Sequence, residues 1–232
     1  MNRSKIQALL FDIDNTLVDF MVMKRSSVDA AIIAMMDAGL DLPYADAHQR
    51  IWAIYDREGI EDQEVFDRFI LEHYGRLEYK ILASAIIAYR RAREASLVLY
   101  PHVRATLLEL SRKGYRLAVI SDAPAKQAWL RLCALGIQHY FEAVITYEDT
   151  GERKPHPLPF TRALETLNLF ADQAVMIGDW LERDIKGAKE VGLHTIYAHY
   201  GCCHPDTDNE KKYADFTIED ISEIISILDQ NF

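Results

Sequence analysis

Long hydrophobic runs are missing from this 232-residue chain, and no stretch approaches the roughly 18 uninterrupted apolar residues that a bilayer-spanning helix requires. The apolar residues near the start, Ile6, Ala8, Leu9, Leu10 and Phe11, form a run too brief for the hydrophobic region of a secretory signal. Cysteine is scarce as well: there are three, Cys133, Cys202 and Cys203, an odd number with two adjacent. That is no extracellular disulfide framework, and a cytoplasmic protein without a membrane partner is expected. His199 and His204 flank the cysteine pair, but adjacent ligands without CxxC spacing suit tetrahedral zinc poorly, so this segment is taken as a loop.

Basic charge is also in deficit. The 26 Lys and Arg residues face 36 Asp and Glu, a formal charge of −10 that repels a polyphosphate backbone. Nucleic acid is not an expected partner. A small phosphate remains possible, because a metal and a lysine can invert the local field of an acidic protein. Gly/Ser linkers, low-complexity tracts and internal repeats are absent too. What is present is a globular composition, half apolar and 27% charged, long enough for one α/β core and an insertion.

Short aliphatic runs alternate with helical segments at both ends of the chain, the signature of a parallel sheet. Ala8–Phe11 is expected to be a buried strand that stops at Asp12. A helix over Val103–Arg112 precedes a strand at Leu117–Ile120 that ends at Ser121, and a helix from Pro124 to Gly136 precedes a strand at Ala143–Ile145. A helix over Phe160–Leu167, a strand at Val175–Ile177, a helix over Ile185–Val191 and a strand at His194–Tyr197 follow. Phe216–Ile218 and Ile221–Leu228 add a last strand and helix.

From Met23 to about Glu94 apolar residues recur instead at three and four. Val28, Ala31, Ile32, Met35 and Met36 are expected on one face of a first helix ended by Gly39, with further helices near Tyr44–Arg57, Glu64–Tyr74 and Glu78–Arg93. The basic run Arg90, Arg91 and Arg93 is taken as a solvated helix face.

Polar residues stand at the expected strand ends: Asp12 with Asp14, Ser121, and Asp179 with Asp184, while Lys154 lies in a loop. Ligands bind at the carboxyl edge of parallel α/β sheets, so these groups are expected to converge. In extended backbone the spacing of Asp12 and Asp14 turns both carboxylates to one side. A carboxylate approaching a phosphate meets repulsion of about 4 kcal/mol per unit-charge pair at about 4 Å and an effective dielectric near 20, so a counter-charge is needed. Asp12, Asp179 and Asp184 offer oxygen ligands for a hard cation such as Mg²⁺, and Lys154 and Ser121 can hold phosphate oxygens.

The strings DIDNTL at Asp12–Leu17, VISDAP around Ser121, RKPHP around Lys154 and GDWLERD from Gly178, taken in order, resemble the four signatures of the haloacid dehalogenase superfamily. The resemblance implies a Rossmann-like α/β parallel sheet core (residues 1–20 and 95–232) and a helical type 1 cap (21–94). It further implies a Mg²⁺-dependent phosphatase acting on a small phosphorylated metabolite, in a monomer or homodimer. Carried over, Asp12 is the nucleophile and a metal ligand, and Asp14 is the general acid, whose backbone carbonyl also meets Mg²⁺. Ser121 and Lys154 bind phosphate, and Asp122 is grouped with them. Asp179 and Asp184 complete the metal set. In the second half-reaction Asp14 becomes the base toward water.

Two residues depart from the commonest pattern: Asp122 stands where Asn or Gly is frequent, and Trp180 where a small residue is frequent. The superfamily's dehalogenases lack an aspartate two residues after the nucleophile, so Asp14 favours phosphoryl transfer. A phosphomutase of the same family is the alternative. A receiver module would need adjacent acids on the first strand, which this sequence lacks, and a non-catalytic scaffold gains no support from a complete set of reactive residues.

Overall fold

A computed structural model describes residues 6–202 and 213–232. Of the Cys/His grouping considered above, Cys203 and His204 lie outside the described residues. In chain order the elements begin with β1 (Ala8–Phe11), α1 (Phe20–Ala38), α2 (Tyr44–Glu58), α3 (Val65–Tyr74), α4 (Tyr79–Ser96) and α5 (Val103–Arg112). They continue with β2 (Arg116–Ile120), α6 (Ala125–Ala134), β3 (Ala143–Ile145), α7 (Tyr147–Thr150) and α8 (Pro157–Leu167). Last come β4 (Ala174–Gly178), α9 (Lys186–Val191), β5 (His194–Ala198), β6 (Phe216–Ile218) and α10 (Glu223–Asn231). Contacts divide the chain into two compact units, Phe20–Val98 and the remainder.

The remainder is built on one parallel sheet of six strands, in the order β3–β2–β1–β4–β5–β6. All four residues of β1 are fully buried, as expected of a central parallel strand covered on both faces, and this is why it reads as an unbroken apolar run. Phe11 is in register with Val119 of β2 and Ile177 of β4, so these three strands end at one level. The order of the strands reverses between β1 and β4, the position where α/β sheets open a crevice for ligands.

One face of the sheet, with Leu10, Ile120 and Met176, packs against Phe160, Ala163 and Leu167 of α8. That helix starts at Pro157, three residues before the sequence expectation. Prolines fit its first turn because no N–H is needed there, and the His156 side chain caps it by accepting from the Leu158 N–H. The helix expected at Ile185–Val191 is entered through a π-helical turn, Leu181–Ile185.

The Phe20–Val98 unit is all helical among its described residues. Val28, Ala31, Ile32 and Met35 of α1 join Ile51 and Ile54 of α2, Phe66, Phe69 and Ile70 of α3, and Leu82 and Ala85 of α4 in one core. Met36, expected on the same stripe, is instead 40% exposed, because a further step of about 100° carries it off that face. Lys24 is buried here, its Nζ donating to the Tyr89 hydroxyl at 3.1 Å and lying 4.0 Å from the Tyr55 ring centroid. Among the described residues no helix is long and apolar enough to cross a membrane.

Candidate active site

Asp12 leaves β1 with its N–H donating to the Ile177 carbonyl of β4 at 2.9 Å. Ile13 is then fully buried, which turns its two acidic neighbours to the opposite side. The chain reverses at once. Leu17 and Val18 both donate to the Ile13 carbonyl, and Asn15 adopts φ 58°, a left-handed conformation that asparagine tolerates better than most residues.

The second acidic group is folded over the end of β4. Asp184 accepts from the Trp180 N–H at 3.0 Å and lies so close to Gly178 that a Cβ there would come within 2.5 Å of the Asp184 side chain. Glycine at 178 is therefore a requirement of the carboxylate's position. The Thr16 hydroxyl donates to Asp179 at 3.3 Å, joining the β1 loop to the β4 end. The result is a buried cluster in which oxygens of Asp12, Asp179 and Asp184 all lie within 4.8 Å of one another.

Lys154 reaches this cluster from the loop before α8. Its Nζ lies 2.6 Å from Asp12 Oδ1 and 2.6 Å from Asp184 Oδ1, and donates to the Ile120 carbonyl at 2.9 Å. Ser121, the next residue, is buried at the end of β2, and its hydroxyl accepts from the Ala123 N–H at 3.2 Å.

Burial pushes the Asp12 carboxyl up to about 8, against the pull of the Lys154 ammonium and reinforced by the Asp184 and Asp14 charges. Burial, then Asp184 and Asp12, hold Asp179 well above the usual carboxylate range. Burial works to discharge Lys154, but Asp12, Asp184 and Asp122 outweigh it and keep the ammonium charged. The site is thus short of positive charge.

Sequence reasoning missed two cations. Arg131 of α6 is buried and donates to Asp14 Oδ2 at 3.0 Å. Its signal was available: Ala128, Arg131 and Leu132 form the inward face of an amphipathic helix, where an arginine is out of place without a partner. Arg183 pairs with Asp122, so that the Asp122 carboxylate, counted from the sequence with the phosphate-binding groups, meets protein partners, with the Lys154 N–H at 2.9 Å. A third feature, the turn His199–Gly201, was not read as functional. Tyr200 donates to the Thr16 carbonyl at 2.7 Å, and a Cβ on Gly201 would fall 1.6 Å from the Asn15 carbonyl oxygen.

Among the described residues, and with every group ionised, five carboxylates (Asp12, Asp14, Asp122, Asp179 and Asp184) face three cations, Lys154, Arg131 and Arg183. The excess of two negative charges, carried on hard oxygen donors, fits a hard divalent cation in the cluster of Asp12, Asp179 and Asp184.

A parallel α/β sheet that gathers buried carboxylates and a charged lysine at its switch point has the arrangement of an α/β ligand site. Residues 9–198 match the model of the haloacid dehalogenase-like hydrolases, and the chain belongs to that family. It is 34% identical over 223 residues to the glyceraldehyde 3-phosphate phosphatase of Methanocaldococcus jannaschii, covering 96% of this chain and 97% of the relative. The Pyrococcus furiosus protein of the same name is 32% identical over 229 residues, covering 97% and 94%. The crystal structure of a HAD phosphatase from Thermococcus onnurineus superposes with a TM-score of 0.69 at 27% identity, covering 96% of this chain and 98% of the other. Within the family the chain stands with the phosphoric monoester hydrolases.

Proposed function

We propose that this protein is a magnesium-dependent phosphatase that carries the phosphoryl group of a small phosphorylated metabolite on Asp12. The observation that carries this reading is the Lys154 ammonium, 2.6 Å from Asp12 and 2.6 Å from Asp184 inside a buried acidic cluster. Asp12, Asp179 and Asp184, with the Asp14 backbone carbonyl, would hold Mg²⁺, which supplies the charge that lets a phosphate dianion approach a carboxylate.

In the first half-reaction an Asp12 oxygen forms a bond to phosphorus as the ester P–O bond breaks. The departing alkoxide takes a proton from Asp14. In the second, water attacks the phosphorus of the acyl phosphate and gives its proton to Asp14, and the Asp12 carboxylate is released with inorganic phosphate. Lys154 and the Ser121 hydroxyl hold phosphate oxygens through both steps, with Lys154 balancing charge as it builds. The helical insertion serves as the cap that selects the leaving group. The shared name of the two archaeal relatives supports a triose phosphate as the substrate class.

The test is phosphate release from glyceraldehyde 3-phosphate and a panel of other small phosphoesters, with Mg²⁺ and with chelator. Release in Mg²⁺ that stops with chelator is expected. No release from any ester, release indifferent to chelator, or an isomeric phosphate as sole product, the mutase outcome, would overturn the proposal.

A further inference from the structure

The two departures noted in the sequence, Asp122 and Trp180, are joined in space by one residue. The Arg183 guanidinium pairs with Asp122 Oδ2, its Nε donates to the Lys154 carbonyl at 3.3 Å, and its Cζ stacks 4.3 Å from the Trp180 ring centroid. Asp122 Oδ1 in turn accepts from the Lys154 N–H at 2.9 Å. Both backbone polar groups of Lys154 are therefore held by one ion pair, which closes a ring of three residues from three separate segments. The Trp180 N–H meets Asp184 at 3.0 Å, so the residue that stacks on Arg183 also fixes a carboxylate facing the Lys154 ammonium.

A lysine side chain is a point charge on a flexible four-carbon stem, and its ammonium is placed only as well as its backbone. Lys154 lies in the loop between α7 and α8, outside the backbone ladders of strand and helix that would hold its peptide groups. We propose that Arg183, with Asp122, is a positioning residue for Lys154: the ion pair fixes the lysine backbone so that its ammonium stays between Asp12 and Asp184 and on the phosphate. This rests on the role given to Lys154 under the proposed function. It also accounts for an acidic residue beside a phosphate site, because Asp122 spends its charge on Arg183 and the lysine backbone.

The experiment is a double-mutant cycle on the full-length protein in Mg²⁺, with Lys154→Met, Arg183→Met and their combination, reading the inhibition constant of inorganic phosphate and the thermal midpoint. Arg183→Met should weaken phosphate about tenfold, within the range for groups coupled through one network, and add nothing in the Lys154→Met background. Asp122→Asn should act like Arg183→Met and be non-additive with it, which keeps the test valid if Lys154→Met fails to fold. An additive effect, or a lowered midpoint with phosphate inhibition unchanged, would overturn the inference while leaving the role of Lys154 intact. If Lys154→Met itself leaves phosphate inhibition unchanged, the reading of Lys154 fails, and this one with it.

Discussion

Arg131 and Asp14, 117 residues apart in sequence, meet with Arg131 Nη1 3.0 Å from Asp14 Oδ2 and the guanidinium buried. A proton carrier must present its carboxyl at one angle to two different oxygens, first the leaving group and then water, and a buried arginine fixes that angle. Arg131→Met is expected to lower turnover of alkyl phosphates by about ten- to a hundredfold and of nitrophenyl phosphate far less, because a good leaving group needs little proton help. Equal losses for both substrates in steady-state assays would remove Arg131 from this role.

Asp14→Asn, by the same logic, should lose about a hundred- to ten-thousandfold on alkyl phosphates. Rates across a series of leaving groups of graded acidity check this. A loss independent of the leaving group would take Asp14 out of the acid role.

Gly201 makes the loop after Asp12 sensitive to a single methyl. A Cβ there would overlap the Asn15 carbonyl oxygen at 1.6 Å, and backbone has little room to yield. Gly201→Ala should destabilise the fold by about 1 to 3 kcal/mol and reduce turnover with it. Chemical denaturation with parallel assays is the check, and an unchanged midpoint with full activity would mean that this turn does not buttress the nucleophile loop.

Arg131 and Gly201 also mark where the sequence stopped being informative. DIDNTL and GDWLERD are contiguous strings whose strand context is local, so β1, β4 and their acids could be located without coordinates. The parallel sheet and its ligand-binding carboxyl edge followed from the alternation of strands and helices, whereas the strand order that makes the switch point did not. Arg131 and Arg183 were not legible in the same way, because each finds its acid across 117 and 61 residues respectively, and only topology closes that distance. One of their acids was visible as an oddity: Asp122 stood out as a charge without an evident reason, and its reason is Arg183. The Met36 error has a different origin, since a stripe of apolar letters does not say which of two adjacent methionines faces inward.

The raised Asp12 carboxyl gives a pH dependence of defined sign. Its pKa is about 8 in the folded, metal-free protein against an ordinary 3.8, so the folded state holds more protons than the unfolded state between these values. The stability contributed by protonated Asp12 is fully present below about pH 4 and is lost as pH rises through about 8. Thermal midpoints in chelator should carry this fall as the pH is raised, and saturating Mg²⁺ should flatten it by favouring the ionised carboxylate. Parallel curves with and without Mg²⁺ would show that the cation does not engage Asp12.

Covalent capture of the intermediate tests the central claim most directly. Protein mixed with substrate and Mg²⁺, quenched in acid within the first turnovers and digested, should carry a phosphoryl adduct on the peptide containing Asp12, and Asp12→Asn should carry none. An adduct on a different residue, or rapid phosphate release by folded Asp12→Asn protein, would contradict it.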